Sequence, residues 1–126
     1  MRKTTLAFLA IVAVSVAACK SMCPCDLKNL NACQSKNPPI VCIDPDSLKP
    51  SQDPVYVKGG DTVHFYIASG RGNLTITYEP GTPIDYAKGV GPHAWVHTLP
   101  VKEAKKYKYT IDVDGRKLDP DMVIEP

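Results

Sequence analysis

The chain has 126 residues, 15 basic and 13 acidic side chains and a formal net charge of +2. Twelve Pro and eight Gly, without a long apolar period of 3.6, favour strands and loops over helices. No basic stripe with interleaved aromatics occurs, which argues against a nucleic-acid partner.

Arg2 and Lys3 precede a small and apolar run, Leu6 to Ala18, interrupted only by Ser15. A charged start and an apolar run too short to span about 30 Å of hydrocarbon read as an export signal over residues 1–18. The run ends Val16-Ala17-Ala18-Cys19 and resembles a bacterial lipoprotein signal, with Cys19 as the lipidated residue. That resemblance implies a thioether-linked diacylglycerol and an acylated (palmitate-type) amine on Cys19. Several chains anchor stably where one does not. Lys20 after the Cys implies, by resemblance to enterobacterial sorting, the outer membrane, facing the periplasm. The competing reading is a secreted protein cleaved after Ala18, with Cys19 an unrelated thiol. Removing residues 1–18 takes away Arg2 and Lys3 and leaves 108 residues with 13 basic and 13 acidic side chains. The net charge therefore belongs to the signal, and no polyanion partner follows from it.

Residues 19–39 form a cysteine-rich neck. Cys23, Cys25, Cys33 and Cys42 are the cysteines besides Cys19, and none follows residue 42. An even number in an exported chain predicts two disulfides. Cys23 and Cys25 flank one proline and do not suit each other. That leaves Cys23–Cys33 with Cys25–Cys42, or Cys23–Cys42 with Cys25–Cys33. Asp26 to Cys33 has room for one or two helical turns with Asp26 as N-cap. The alternative is a metal site, because Met22, Cys23 and Cys25 offer soft sulfur of the kind copper(I) or zinc prefers. Only one close cysteine pair is present, short of a four-cysteine zinc pattern.

Residues 40–126 read as about seven short strands with turns between them, an all-β sandwich. Pro38-Pro39 predicts an extended entry to a strand over 40–43, ended by Asp44-Pro45-Asp46. A second strand covers 55–57, followed by the turn Lys58-Gly59-Gly60-Asp61. Thr62 to Ser69 alternates most clearly, with Val63, Phe65 and Ile67 on one face and Thr62, His64 and Tyr66 on the other. Gly70-Arg71-Gly72 is expected as a hairpin turn before a strand over 73–78. Glu79 to Pro92 holds three Pro and three Gly and is expected as a long loop, with Tyr86 and Val90 plugging the sandwich end. A strand over 94–99 follows. In the closing segment Tyr107, Tyr109, Ile111 and Val113 alternate with polar residues. Asp114-Gly115 predicts a two-residue turn, an irregular loop comes next, and a last strand spans 122–124.

Three features resemble the cupredoxin family. One is a strand ending in Asp-Pro and leading to Val-Tyr-Val-Lys-Gly-Gly-Asp-Thr-Val-His-Phe. Another is the late strand Tyr-Lys-Tyr-Thr-Ile. The third is a closing loop before one short strand. The resemblance covers residues 40–126 and implies a small Greek-key sandwich, antiparallel or mixed, with its C-terminal strand in a mixed sheet. Electron-transferring members hold copper with an upstream His and a Cys, His and Met along the last loop. Here the thiolate position falls near Ile111 or Asp112, the His near residues 114–117 and the Met near Asp119. Residues 98–126 contain no Cys or His, and Met122 is the one soft ligand left. A blue copper centre, which needs a thiolate, is excluded by composition.

Other clusters are weaker. His93, Trp95 and His97 fall at alternate positions and share one face of a strand. Two imidazoles about 7 Å apart along it would bind a divalent metal with His64 or an acid. The plainer reading is a half-exposed face, with Trp95 covering the loop end and His64 an ordinary surface residue. Asp112, Asp114, Asp119 and Asp121 read as turn acids, with calcium as the alternative. Six tyrosines against two phenylalanines suit a wet-edged core or a binding face. No paired-carboxylate, triad or phosphate-loop pattern appears. The expectation is a non-catalytic envelope lipoprotein with a binding or structural role, without a cofactor, anchored through Cys19 and partnered by an envelope protein. The alternative is a periplasmic copper- or zinc-handling protein using Met22, Cys23 and Cys25, or His93 and His97.

Overall fold

In a computed structural model of the chain, residues 35–126 are described. The export signal, Cys19, the sulfur cluster of Met22, Cys23 and Cys25, Cys33 and the helical turns over 26–33 lie outside them. Ten strands follow in order: β1 (Ser35–Lys36), β2 (Pro39–Ile43), β3 (Val55–Lys58), β4 (Thr62–Ile67), β5 (Leu74–Tyr78), β6 (Ile84–Val90), β7 (His93–Thr98), β8 (Lys105–Val113), β9 (Arg116–Leu118) and β10 (Asp121–Glu125).

Period-two patterning decides which side chains go inside. In β4 the odd residues Val63, Phe65 and Ile67 are fully buried and the even ones half-exposed, since successive side chains of a pleated strand point to opposite faces. β7 repeats this, with Ala94, Val96 and Thr98 inside. In β8 the inward residues are Tyr109, Ile111 and Val113. The strands make two sheets, ordered β1-β2-β4-β7-β6 and β3-β10-β8-β5, with β9 also on β8. Both sheets are mixed. β2 runs parallel to β4, and β10 runs parallel to β3 but antiparallel to β8. The last strand therefore lies in a mixed sheet, as the family resemblance implied.

The two sheets pack as a sandwich around one apolar core. Val41, Ile43, Val63, Phe65 and Val96 come from the first sheet, and Val55, Ile76, Ile111, Met122 and Ile124 from the second. Phe65 and Tyr109 meet across the interface, ring centroids 5.5 Å apart and tilted by 51°, a geometry that suits the ring quadrupoles. Among the described residues Thr98 is the buried polar one. Its hydroxyl accepts from Gly60 N at 3.1 Å and donates to Asp61 O at 2.8 Å, tying the β3–β4 turn to the end of β7. Tyr109 Oη is buried with no hydrogen-bond partner among the described residues.

Several local expectations change. The segment read as a long loop contains β6, paired antiparallel to β7 with a register shift between Ile84 and Tyr86. Tyr86 is 37% and Val90 71% exposed, so neither plugs the sandwich end. Gly89 lets this edge strand pass β5, because a Cβ there would sit 2.6 Å from the Leu74 carbonyl oxygen. Gly70-Arg71-Gly72 joins strands of different sheets rather than forming a hairpin. The loop after Asp114-Gly115 is β9, with Val113 opposite Arg116 across a two-residue turn. Both turn residues have positive φ, 51° and 91°, which Asp and Gly tolerate. The first sheet also begins earlier than expected, with β1 pairing onto Pro39 and Ile40.

Candidate functional site

The outward face of β4 and β7 gathers the histidines. Antiparallel register sets Thr62 opposite His97, His64 opposite Trp95 and Tyr66 opposite His93. Because β4 buries its odd residues and β7 its even ones, all six of these side chains point outward. β6 extends the face, with Tyr86 opposite His97 and Lys88 opposite Trp95.

His64 and His93 are diagonal neighbours in this register, a separation long side chains can bridge. His64 Nδ1 and His93 Nε2 are 3.0 Å apart. The ring centroids are 5.2 Å apart with planes 20° from parallel, so the imidazoles meet edge to edge. In the neutral pair one nitrogen donates and the other accepts. The remaining two nitrogens, His64 Nε2 and His93 Nδ1, are then one N–H and one bare lone pair. Neither has a hydrogen-bond partner among the described residues. Burial lowers the pKa of both rings from the usual 6.5, and the His64 charge lowers that of His93 further.

His93 is held on its other sides as well. It lies face to face with Tyr66, 4.3 Å between centroids and 3° between planes, and tilts against Trp95 at 4.9 Å. Burial raises the Tyr66 phenol pKa. His97 has different company. Its Nδ1 is 2.9 Å from Thr62 Oγ1, and its ring stacks on Tyr86 at 5.4 Å. The structure thus joins His93 to His64, not to His97, and His64 is not the ordinary surface residue the sequence suggested. Trp95 contributes to the ring cluster on the sheet face. Strand register was the missing signal, since alternation alone reports which residues share a face and not which meet across it.

The closing turn arranges its acids one by one. Asp112 Oδ1 accepts from Gly115 N at 2.9 Å, Asp114 Oδ1 from Asn73 N at 3.2 Å and Asp119 Oδ1 from Thr110 Oγ1 at 2.8 Å. Asp121 pairs with Lys108 Nζ at 3.1 Å. Met122 is 1% exposed in the core, and Ile111, one candidate thiolate position, is fully buried there. Among the described residues no group of three or more His, Cys, Asp or Glu is arranged to hold a metal.

Cys42 is fully buried beside Ala68 and Tyr66, apart from the main core. An open cleft of about 620 Å³ runs along Thr77, Glu79, Lys108 and Asp119. Its lysine is engaged by the Asp119 carbonyl and the Asp121 carboxylate. Comparison with protein-family models, with curated proteins and with solved structures finds no match.

Proposed function

We propose that the protein is a non-catalytic lipoprotein of the bacterial cell envelope, whose cupredoxin-like Greek-key sandwich serves a binding or structural role. The observation that carries this reading is where the chemistry sits. The His64–His93 pair and its aromatic neighbours lie half-exposed on the outward face of β4 and β7, whereas a reaction centre needs a water-excluding cleft around its charged groups. A half-exposed outward face of this kind suits docking of a ligand or of an envelope protein. The cupredoxin likeness is supported by the parallel placement of β10 beside β3, and its copper is argued against by the missing loop thiolate.

The lipid on Cys19 anchors the chain at the outer membrane, facing the periplasm, and the neck is stapled by disulfides. Four cysteines besides Cys19 in an exported chain support crosslinks over a thiolate metal site. Cys19→Ala tests the anchor. The variant is expected in the soluble periplasmic fraction with its sandwich folded, and a variant that still sediments with membranes contradicts the anchor. A thiol count on the exported, denatured protein tests the neck, with no free thiol expected.

A further inference from the structure

On the face of β4 and β7, His64 Nδ1 and His93 Nε2 have only each other as partners among the described residues. A glycan platform would need ring faces turned to solvent, but the closest aromatic contact, Tyr66 on His93, uses them against each other at 4.3 Å and 3°. The His64–His93 pair meets through its ring edges, and imidazole edges carry lone pairs. Imidazole suits copper, zinc and nickel, and Cu(II) heads the affinity order among first-row divalent ions. Two metal–nitrogen bonds of about 2.0–2.1 Å meeting at a right angle put the nitrogens about 2.9 Å apart. The observed separation of His64 Nδ1 and His93 Nε2 is 3.0 Å.

We propose that His64 and His93 form a two-imidazole chelate for a divalent first-row cation, with Cu(II) bound most tightly, on the outward face of β4 and β7. At present the two nitrogens point at one another and share a proton. Binding shifts that proton to the bare outer nitrogen of the ring that held it, so that each imidazole stays neutral with one N–H, and turns the two lone pairs to a common point, with water filling the other coordination positions. His64 does the turning, since its ring centroid is 6.5 Å from that of Tyr66. His93 is fixed between Tyr66 and Trp95. Lys88, opposite Trp95, carries the fixed charge on this face, and its ammonium is directed over the Tyr86 ring at 5.0 Å. His97 stays outside the chelate, bonded to Thr62. The inference supplies a ligand for the binding role proposed above and does not depend on the lipid anchor.

Trp95 is the chain's one tryptophan, and its ring lies 4.9 Å from that of His93. Its fluorescence therefore reports Cu(II) bound beside His93. Titrating the mature chain with Cu(II) should quench Trp95 saturably. His64→Gln and His93→Gln should each weaken that quenching about a hundredfold, the loss of a second ligand held at high effective concentration. His97→Gln should leave it unchanged. Circular dichroism checks that each variant is folded, and the electron paramagnetic resonance spectrum of the parent should show two imidazole nitrogens on the copper. Quenching that survives both His64→Gln and His93→Gln, or a spectrum without imidazole nitrogen, overturns the proposal. Such a failure leaves the anchored binding role standing, because the Cys19→Ala fractionation reads the anchor alone.

Discussion

The outward face of β4 and β7 and the closing turn of β8, β9 and β10 are both rich in polar side chains, and they use them differently. In the turn, Asp112, Asp114 and Asp119 each accept a nearby N–H or hydroxyl, and Asp121 takes a lysine. These carboxylates shape the chain locally. On the sheet face, His64 and His93 satisfy one another and leave a nitrogen on each ring without a partner among the described residues. Crowding of acids in sequence is therefore a poor sign of a ligand site. Two imidazole nitrogens whose only partner among the described residues is each other are a better one.

Three substitutions break or sharpen this contrast. Phe65→Ala should have the largest effect, a loss of about 3–5 kcal/mol typical of a buried aromatic truncated to alanine. Phe65 backs the face and touches Tyr109 beneath the turn, so chemical denaturation should weaken both regions together. Separate transitions would mean that they do not share one core. Gly89→Ala comes next, at about 1–3 kcal/mol for forced overpacking. Its new Cβ would clash with the Leu74 carbonyl and loosen β6 beside the histidine face. Hydrogen exchange should quicken in β6 and leave the β8–β9 hairpin unchanged.

Tyr109→Phe should have the smallest effect and the opposite sign. Removing a buried hydroxyl with no partner is expected to stabilise by about 1 kcal/mol. Burial, reinforced by the Asp53 and Asp121 carboxylates, pushes this phenol far above its usual 10.0. Below pH 10 the phenol is neutral in both folded and unfolded chains. Above it only the unfolded chain ionises, so stability falls as pH rises. Denaturation series at neutral and strongly alkaline pH should show that Tyr109→Phe lacks this part of the alkaline loss. An unchanged alkaline slope would show that Tyr109 ionises freely in the fold.

Much of the sandwich was legible in the chain. Thr62 to Ile67 and Tyr107 to Val113 alternate cleanly, and Asp114-Gly115 marks its own turn, because these signals are local. β6 was hidden because Pro80, Gly81 and Pro83 before it and Gly91-Pro92 after it are turn residues. Counted with Gly89, they made the whole segment look like loop. β9 was hidden because Arg116 and Lys117 carry no apolar alternation, and its pairing comes from the turn ahead of it. The shared face of His93, Trp95 and His97 was legible. The His64–His93 contact was not, since it depends on the register between strands 29 residues apart.

The most direct measurement is nitrogen-detected NMR of the three imidazoles across pH. With both pKa values lowered by burial, His64 and His93 stay neutral in the fold while unfolded rings begin to charge near 6.5. Their contribution to stability is present above that pH and is lost as pH falls through the folded values. The account predicts that His64 and His93 titrate together below 6.5, with the His64 Nδ1 and His93 Nε2 signals showing one shared proton. Independent titration of the two rings at ordinary values, with both nitrogens of each exchanging freely, would contradict it.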